Sequence, residues 1–210
     1  MSRLTQGAAG QVLAGLRALL VLTLLVGIAY PLAVTGAAQL LFPDRADGSL
    51  VRQHGQVVGS SQIGQGFTAG KNAAPDPAYF QSRPSAAGDG YDPLASSASN
   101  LSPDNPALVK DVAQRRKAVA SLDDVRPGHV PADALLASGS GLDPDISPAY
   151  ADLQARRVAS TRGAPQAAVQ RLIDQYTDHR TLGFLGEDRV NVLLLNLALD
   201  RAFPTPRGAD

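Results

Sequence analysis

The chain has 210 residues and a mass of 21.8 kDa, with 19 basic side chains against 19 acidic ones. Zero net charge leaves no long-range field to gather nucleic acid. The absence of cysteine excludes disulfides, thiolate metal sites, a cysteine nucleophile and a lipidated cysteine.

The charge is unevenly placed. Residues 1–43 hold Arg3 and Arg17 and no acid. Within them, "ALLVLTLLVGIAYPLAVTGAAQLLF" (18–42) runs uncharged and would be roughly 37 Å long as a helix, enough to span a hydrocarbon core of roughly 30 Å. A cleaved signal peptide is the alternative, since "TGAAQ" offers small residues, but its apolar region is normally only about 7–15 residues. An uncleaved anchor is therefore expected, with 1–17 as a short cytoplasmic tail and 43–210 as one extracytoplasmic domain. Arg3 and Arg17 nearly balance Arg45 and Arg52 across the span, so orientation rests on the α-amino group and the short tail, which favour the N-terminus inside. Pro31 removes a backbone donor opposite Gly27 and predicts a local kink. Gly27, Ala29, Ala33, Gly36 and Ala37 are small enough for a neighbouring helix to approach.

Beyond the span, "FPDRADGSL" (42–50) reads as an exit turn. "VRQHGQVVGSSQIGQGF" (51–67) reads as short strands divided by glycines. Residues 75–106 contain six Pro and six Ser, a linker composition. They also contain Tyr79, Phe80, Tyr91, Leu94 and Leu101, which predict an irregular loop packed on the domain. Three helices come next. The first spans 105–122, with Asn105-Pro106 at its start and Leu108, Val112, Val119 and Leu122 in a broken stripe. The second spans 147–163, opened by Ser147-Pro148 and closed by Gly163, with Tyr150, Leu153, Arg157 and Thr161 along one face. The third spans 165–180, with Val169, Leu172, Ile173 and Tyr176 at helical spacing. "RVNVLLLNLALD" (189–200) reads as a strand-like entry turning into a helix capped by Asn191. The fold class is α+β: a single N-terminal transmembrane helix, then one domain with short strands and about three to four helices.

Catalytic motifs fail on inspection. "GQGFTAGKN" (64–72) has Gln65 where a phosphate loop needs its first glycine and Asn72 where it needs a hydroxyl. An EF-hand starting at Asp143 meets Pro148 where glycine is required and Gln154 where glutamate is required. Neither Ser138 nor Ser140 has the glycines of a nucleophile elbow. His54, His129 and His179 lack metal-ligand spacing. "ASGSGLDPDISP" (137–148) does satisfy the grammar of a shaped loop entering a helix. Its glycines permit positive φ, Asp143 before Pro144 can form an Asx-turn, and Ser147 can cap the second helix.

Seven ordered blocks carry a resemblance: "YPLAVTGAAQLLFPDRADGSL", "IGQGF", "YFQSRPSA", "SNLSPDNP", "ASGSGLDPDISP", "QARRVASTRG" and "LGFLGEDRVNVLLLNLALD". Together they are similar to the C subunit of Kdp-type potassium-transporting ATPases, the KdpC family. Asp145 departs from a histidine common there, Asp188 from a proline, and Gln62 from a leucine. The resemblance implies a single-span protein of the bacterial inner membrane whose domain lies on the outer face. Its implied partners are a channel-like potassium-translocating subunit, a P-type ATP-hydrolysing subunit and a small membrane peptide. Mg-ATP and K+ would belong to the complex. No cofactor, metal or catalytic residue is expected of this chain itself. Its role would be assembly and catalytic chaperoning of the pump subunit, in a family whose descriptions include nucleotide binding. The structural or interface candidates are Gly27, Pro31 and Gly36 in the span, and Gln65, Asn100, Gly141, Asp143, Pro144, Asn191 and Asn196 beyond it. The alternative is a membrane-tethered extracytoplasmic enzyme or solute-binding domain acting alone.

Overall fold

The computed structural model describes residues 2–69 and 74–205. They fall into two units, divided between Leu50 and Val51.

The first unit is helical. α1 (Ser2–Leu22) passes into a π-helical stretch (Thr23–Ala29), then α2 (Tyr30–Leu41) and a single turn, α3 (Pro43–Ala46). Ala9–Leu41 is 33 residues of mean hydropathy 2.4 with nothing buried, the one helix among the described residues long and apolar enough to cross a membrane. The irregularity expected at Pro31 takes a specific form. The winding widens just before the proline, and the Tyr30 N–H donates to the Leu25 carbonyl, five residues back. Pro31 has no proton for the Gly27 carbonyl, and a wider turn relieves the clash between its ring and that carbonyl.

The second unit opens within the hairpin of β1 (Leu50–Gln53) and β2 (Gln56–Ser60), whose first residue, Leu50, closes the first unit. Its turn residues, His54 and Gly55, both have positive φ (51° and 81°), as a two-residue hairpin loop requires. β3 (Thr68–Ala69) and β4 (Ala74–Pro75) form a second small antiparallel pair. After the long loop come α4 (Pro106–Leu122), β5 (Asp145–Ile146), α5 (Pro148–Arg162), α6 (Gln166–Gln175), β6 (Thr177–Asp178), β7 (Arg189–Asn191) and α7 (Val192–Ala202). β7 is the centre of a three-stranded antiparallel sheet. Val190 stands opposite Ile146 of β5 on one side and Thr177 of β6 on the other.

The caps read from the sequence are present. Asn105 accepts from the Ala107 N–H, Ser147 from Tyr150, and Asn191 from Leu194, while Gly163 closes α5 at φ 64°. Val190 does enter as a strand before α7 begins. Two expectations are corrected. α5 buries most of its circumference rather than one face: Ala151, Ala155, Val158 and Ala159 are buried, and so are the polar Gln154, Arg157 and Arg162. Its alanines let neighbours approach closely, so α5 acts as the central post of the core, packed against α6. The third helix stops at Gln175 instead of 180, because Thr177 and Asp178 are drawn into the sheet beside β7.

The proline-rich loop is indeed packed on the domain, but unequally. Phe80 is fully buried in the core with Val158, Val169, Ile173, Leu195 and Leu199, a burial that contributes roughly 2–3 kcal/mol. Tyr79 stacks on Phe67 at 5.6 Å between centroids. Leu94, by contrast, is 96% exposed, and Leu101 also faces solvent.

Candidate functional site

Chain outside helices and sheets must find other partners for its backbone polar groups. Residues 77–79 turn, with the Ala78 and Tyr79 N–H groups donating to Asp76, and side chains of α5 and α7 meet other backbone groups of residues 77–81. The Asn196 amide accepts from the Phe80 N–H and donates to the Phe80 carbonyl, both at 2.9 Å. Gln154 does the same for Gln81, accepting at 2.7 Å and donating at 3.1 Å. Arg157 donates to the carbonyls of Pro77 (2.6 Å) and Tyr79 (3.0 Å), and Arg162 to that of Ala78 (2.6 Å). Arg157 also donates to buried Asp123 at 2.7 Å. Burial raises the Asp123 carboxyl above its ordinary range, and the Arg157 charge opposes that shift. Arg162 stands 4.6 Å over the Tyr79 ring and 2.9 Å from Asp200, close enough to pair by charge.

The loop 137–148 is the second junction. Gly141 has φ 68°, and a Cβ there would lie 2.6 Å from the Ser97 carbonyl oxygen and 2.8 Å from the Ala87 nitrogen, so glycine is required twice over. The Gly141 carbonyl accepts from the Ser85 hydroxyl (2.7 Å), and the Ser140 carbonyl accepts from the Ser97 N–H (3.0 Å). These bonds stitch the loop to residues 85–97. Asp143 accepts from the Asp145 N–H at 3.0 Å, the Asx-turn expected from its place before Pro144, and pairs with Arg83 at 2.8 Å. Tyr91 donates to the Arg83 carbonyl, and burial pushes its hydroxyl up to about 12. The Leu142 carbonyl accepts from Gly64 (2.8 Å) and the Pro144 carbonyl from Val192 (3.1 Å). Asn191, besides capping α7, donates to the carbonyl of Ser61 and to Asp145.

Gly141, Asp143, Pro144 and Asn191 are thus brought together. Gln65 belongs to the neighbouring layer, its carbonyl accepting from Ser82 at 3.0 Å. Asn196 joins the other junction, in the core. Asn100 joins neither: it is exposed, at φ 50°, and donates to the nearby Ala98 carbonyl. The loop that carries Asn100 meets residue 140 through Ser97. Gly27, Pro31 and Gly36 lie in the first unit, on helical turns with no buried residues. Arg83, Gln154, Arg157 and Arg162 are not among the candidates that the sequence suggests. The available signal is a helix with three long polar side chains three to five positions apart among alanines.

A cleft of about 240 Å³ opens beside this loop, lined by Asp143, Asp145, Glu187, Asp188, Arg83 and Arg189 among others. Asp145 pairs with Arg189 at 3.2 Å. Burial foremost, then the neighbouring Asp143 charge, raises its carboxyl above the ordinary value despite that arginine. Asp188 accepts from the Arg180 N–H at 3.0 Å. Ser147 donates to Asp133 and accepts from Tyr150, so its hydroxyl is held on both sides. Among the described residues no three of His, Asp or Glu are grouped to hold a metal ion. Gly70–Asn72 of the glycine-rich turn lie outside the described residues. The chemistry of the junction is positional: charges and amides hold loops in register.

Residues 12–201 match the family described as KdpC, K+-transporting ATPase, c chain. The chain belongs to the KdpC family. It is 54% identical to the Potassium-transporting ATPase KdpC subunit of Beijerinckia indica over 189 residues, covering 90% of this chain and 92% of the relative. The Mycobacterium tuberculosis protein of that name is 54% identical over 192 residues, 91% of this chain and 98% of the relative. That of Streptomyces coelicolor is 52% identical over 204 residues, 89% and 90%. The family match runs through both units, from within α1 to Arg201 in the last turn of α7.

Proposed function

We propose that this chain is a non-hydrolytic accessory and assembly subunit of an ATP-driven potassium uptake pump in the bacterial inner membrane. The observation that carries this reading is the family match over residues 12–201, with relatives named as potassium-transporting ATPase subunits aligned over nine-tenths or more of their length. The geometry agrees with a positional role, since the polar groups of the 137–148 loop are engaged in holding neighbouring segments.

In this reading the N-terminal helix is anchored beside the membrane helices of a channel-like subunit. Residues 43–210 lie outside and pack over that subunit's outer mouth. Any gain in ATP affinity at the P-type subunit then reaches it indirectly, as a coupling free energy carried through the membrane subunits, because an outer domain cannot touch cytosolic nucleotide.

The test is recovery of the intact chain from membranes of potassium-starved cells. A channel-like and a P-type ATPase polypeptide should accompany it, and recovery of the chain alone would refute the reading. Gly27→Leu and Gly36→Leu should reduce that recovery if the helix docks. Gly36 has open space around it, so its substitution leaves the helix itself intact. Orientation is read in the same cells with an impermeant thiol reagent, since the chain has no cysteine background. Ser97→Cys should label and Ser2→Cys should not.

A further inference from the structure

Outside the N-terminal helix, the large apolar side chains that face solvent are mostly isolated, as at Val57, Leu94 and Val109. One place is different. Between β6 and β7, Leu182, Phe184 and Leu185 are 79%, 69% and 51% exposed within four consecutive residues. They sit on a closed turn, in which the Thr181 N–H donates to Leu185 and the Leu185 N–H to Thr181, at 2.9 and 3.0 Å. Leu182, Gly183 and Gly186 hold positive φ, so the backbone displays the three side chains in one preset shape. Three large apolar side chains displayed side by side on one turn are the kind of surface that a partner covers.

What covers it is argued from the charge alongside. Glu187, Asp188 and Arg189 come directly after the tip and line the cleft beside the 137–148 loop. That cleft presents five carboxylates, Asp133, Asp143, Asp145, Glu187 and Asp188, against Arg83 and Arg189. An anionic bilayer surface repels such an excess, whereas a protein surface can match it. We propose that Leu182, Phe184 and Leu185, with the acid-rich cleft beside them, form the surface that docks this domain on a neighbouring polypeptide offering an apolar pocket flanked by Lys or Arg. An apolar centre with a charged rim is the ordinary anatomy of such a contact, the centre supplying affinity and the rim orientation. This inference rests on the proposed function, in which the chain works inside a multi-subunit assembly.

The experiment replaces Phe184 by photoreactive p-benzoylphenylalanine in the full chain, expressed with the other subunits, and irradiates native membranes. The expected result is a covalent adduct to a second, different polypeptide, at a segment with Lys or Arg close to the linked residue. The same replacement at Leu94 should give none. Adducts to lipid alone, adducts to a second copy of this chain, equal yield from position 94, or no adduct while the subunits still co-purify would each overturn the docking surface and leave the proposed function standing. Failure of the unmodified chain to co-purify with any subunit would remove both. As a second measurement, Leu182→Asp with Phe184→Asp should lower partner recovery by about fivefold or more, and Glu187→Lys should lower it further at low salt. Both apolar residues are exposed, so thermal unfolding of the chain alone should not change. Undiminished recovery of the double variant would also overturn the proposal.

Discussion

The side-chain amide of Asn196 occupies both backbone hydrogen-bonding groups of Phe80, a residue 116 positions earlier in the chain. Phe80 lies outside the strands, and this one amide supplies both of the partners that a neighbouring strand would otherwise give it. Asn196→Ala should therefore leave a buried N–H and a buried carbonyl without partners, a loss of about 2–4 kcal/mol. Hydrogen exchange at the Phe80 amide is the direct readout, expected to be slow in the parent and fast in the variant, with a lowered unfolding midpoint.

Gly141 and Gly163 separate backbone strain from steric collision. Both hold left-handed φ, 68° and 64°, but a Cβ at Gly141 meets backbone atoms under 3.0 Å away while one at Gly163 meets nothing. Gly163→Ala should cost only the conformational penalty, about 1 kcal/mol. Gly141→Ala should cost clearly more, because the Ser97 and Ala87 backbone must move. Comparing the two thermal midpoints checks this, and equal shifts would mean that the loop yields freely.

Arg157 and Asp123 form a buried pair with side chains only 7% and 1% exposed. Arg157→Met should destabilise by about 3–5 kcal/mol by stranding the Asp123 charge. Asp123→Leu added to it should recover part of that loss. Recovery should stay incomplete, because the carbonyls of Pro77 and Tyr79 also lose their donor. A double-mutant cycle in denaturant gives the coupling.

The raised carboxyl of Asp145 sets a pH signature. A carboxyl whose folded-state value lies above its unfolded one favours folding below the ordinary carboxylate range, and that contribution is lost as pH rises through the raised value. At neutral pH the parent therefore carries the cost of a half-buried charge beside Asp143. Asp145→Asn should raise the thermal midpoint at pH 7, and the gain should vanish as pH falls below the ordinary carboxylate value. A gain that persisted in acid would point to packing instead.

The sequence by itself determined whatever depends on neighbours along the chain. The apolar run around Pro31, the caps at Asn105, Ser147 and Asn191, the Asx-turn at Asp143 and the closing Gly163 are set by residue type and spacing over a few positions. The family, too, is a property of sequence order. The end of α6 was not legible, because Thr177 and Asp178 leave a good helical pattern only when β7 stands ready to pair with them. Nor was the burial of Arg157, Arg162 and Gln154, which look like solvated positions until a backbone segment 73 to 84 residues earlier is laid against α5. Only the tertiary structure decided which polar side chains face inward, since a long polar group is stable inside when partners from elsewhere in the chain satisfy it, and those partners cannot be counted from local sequence.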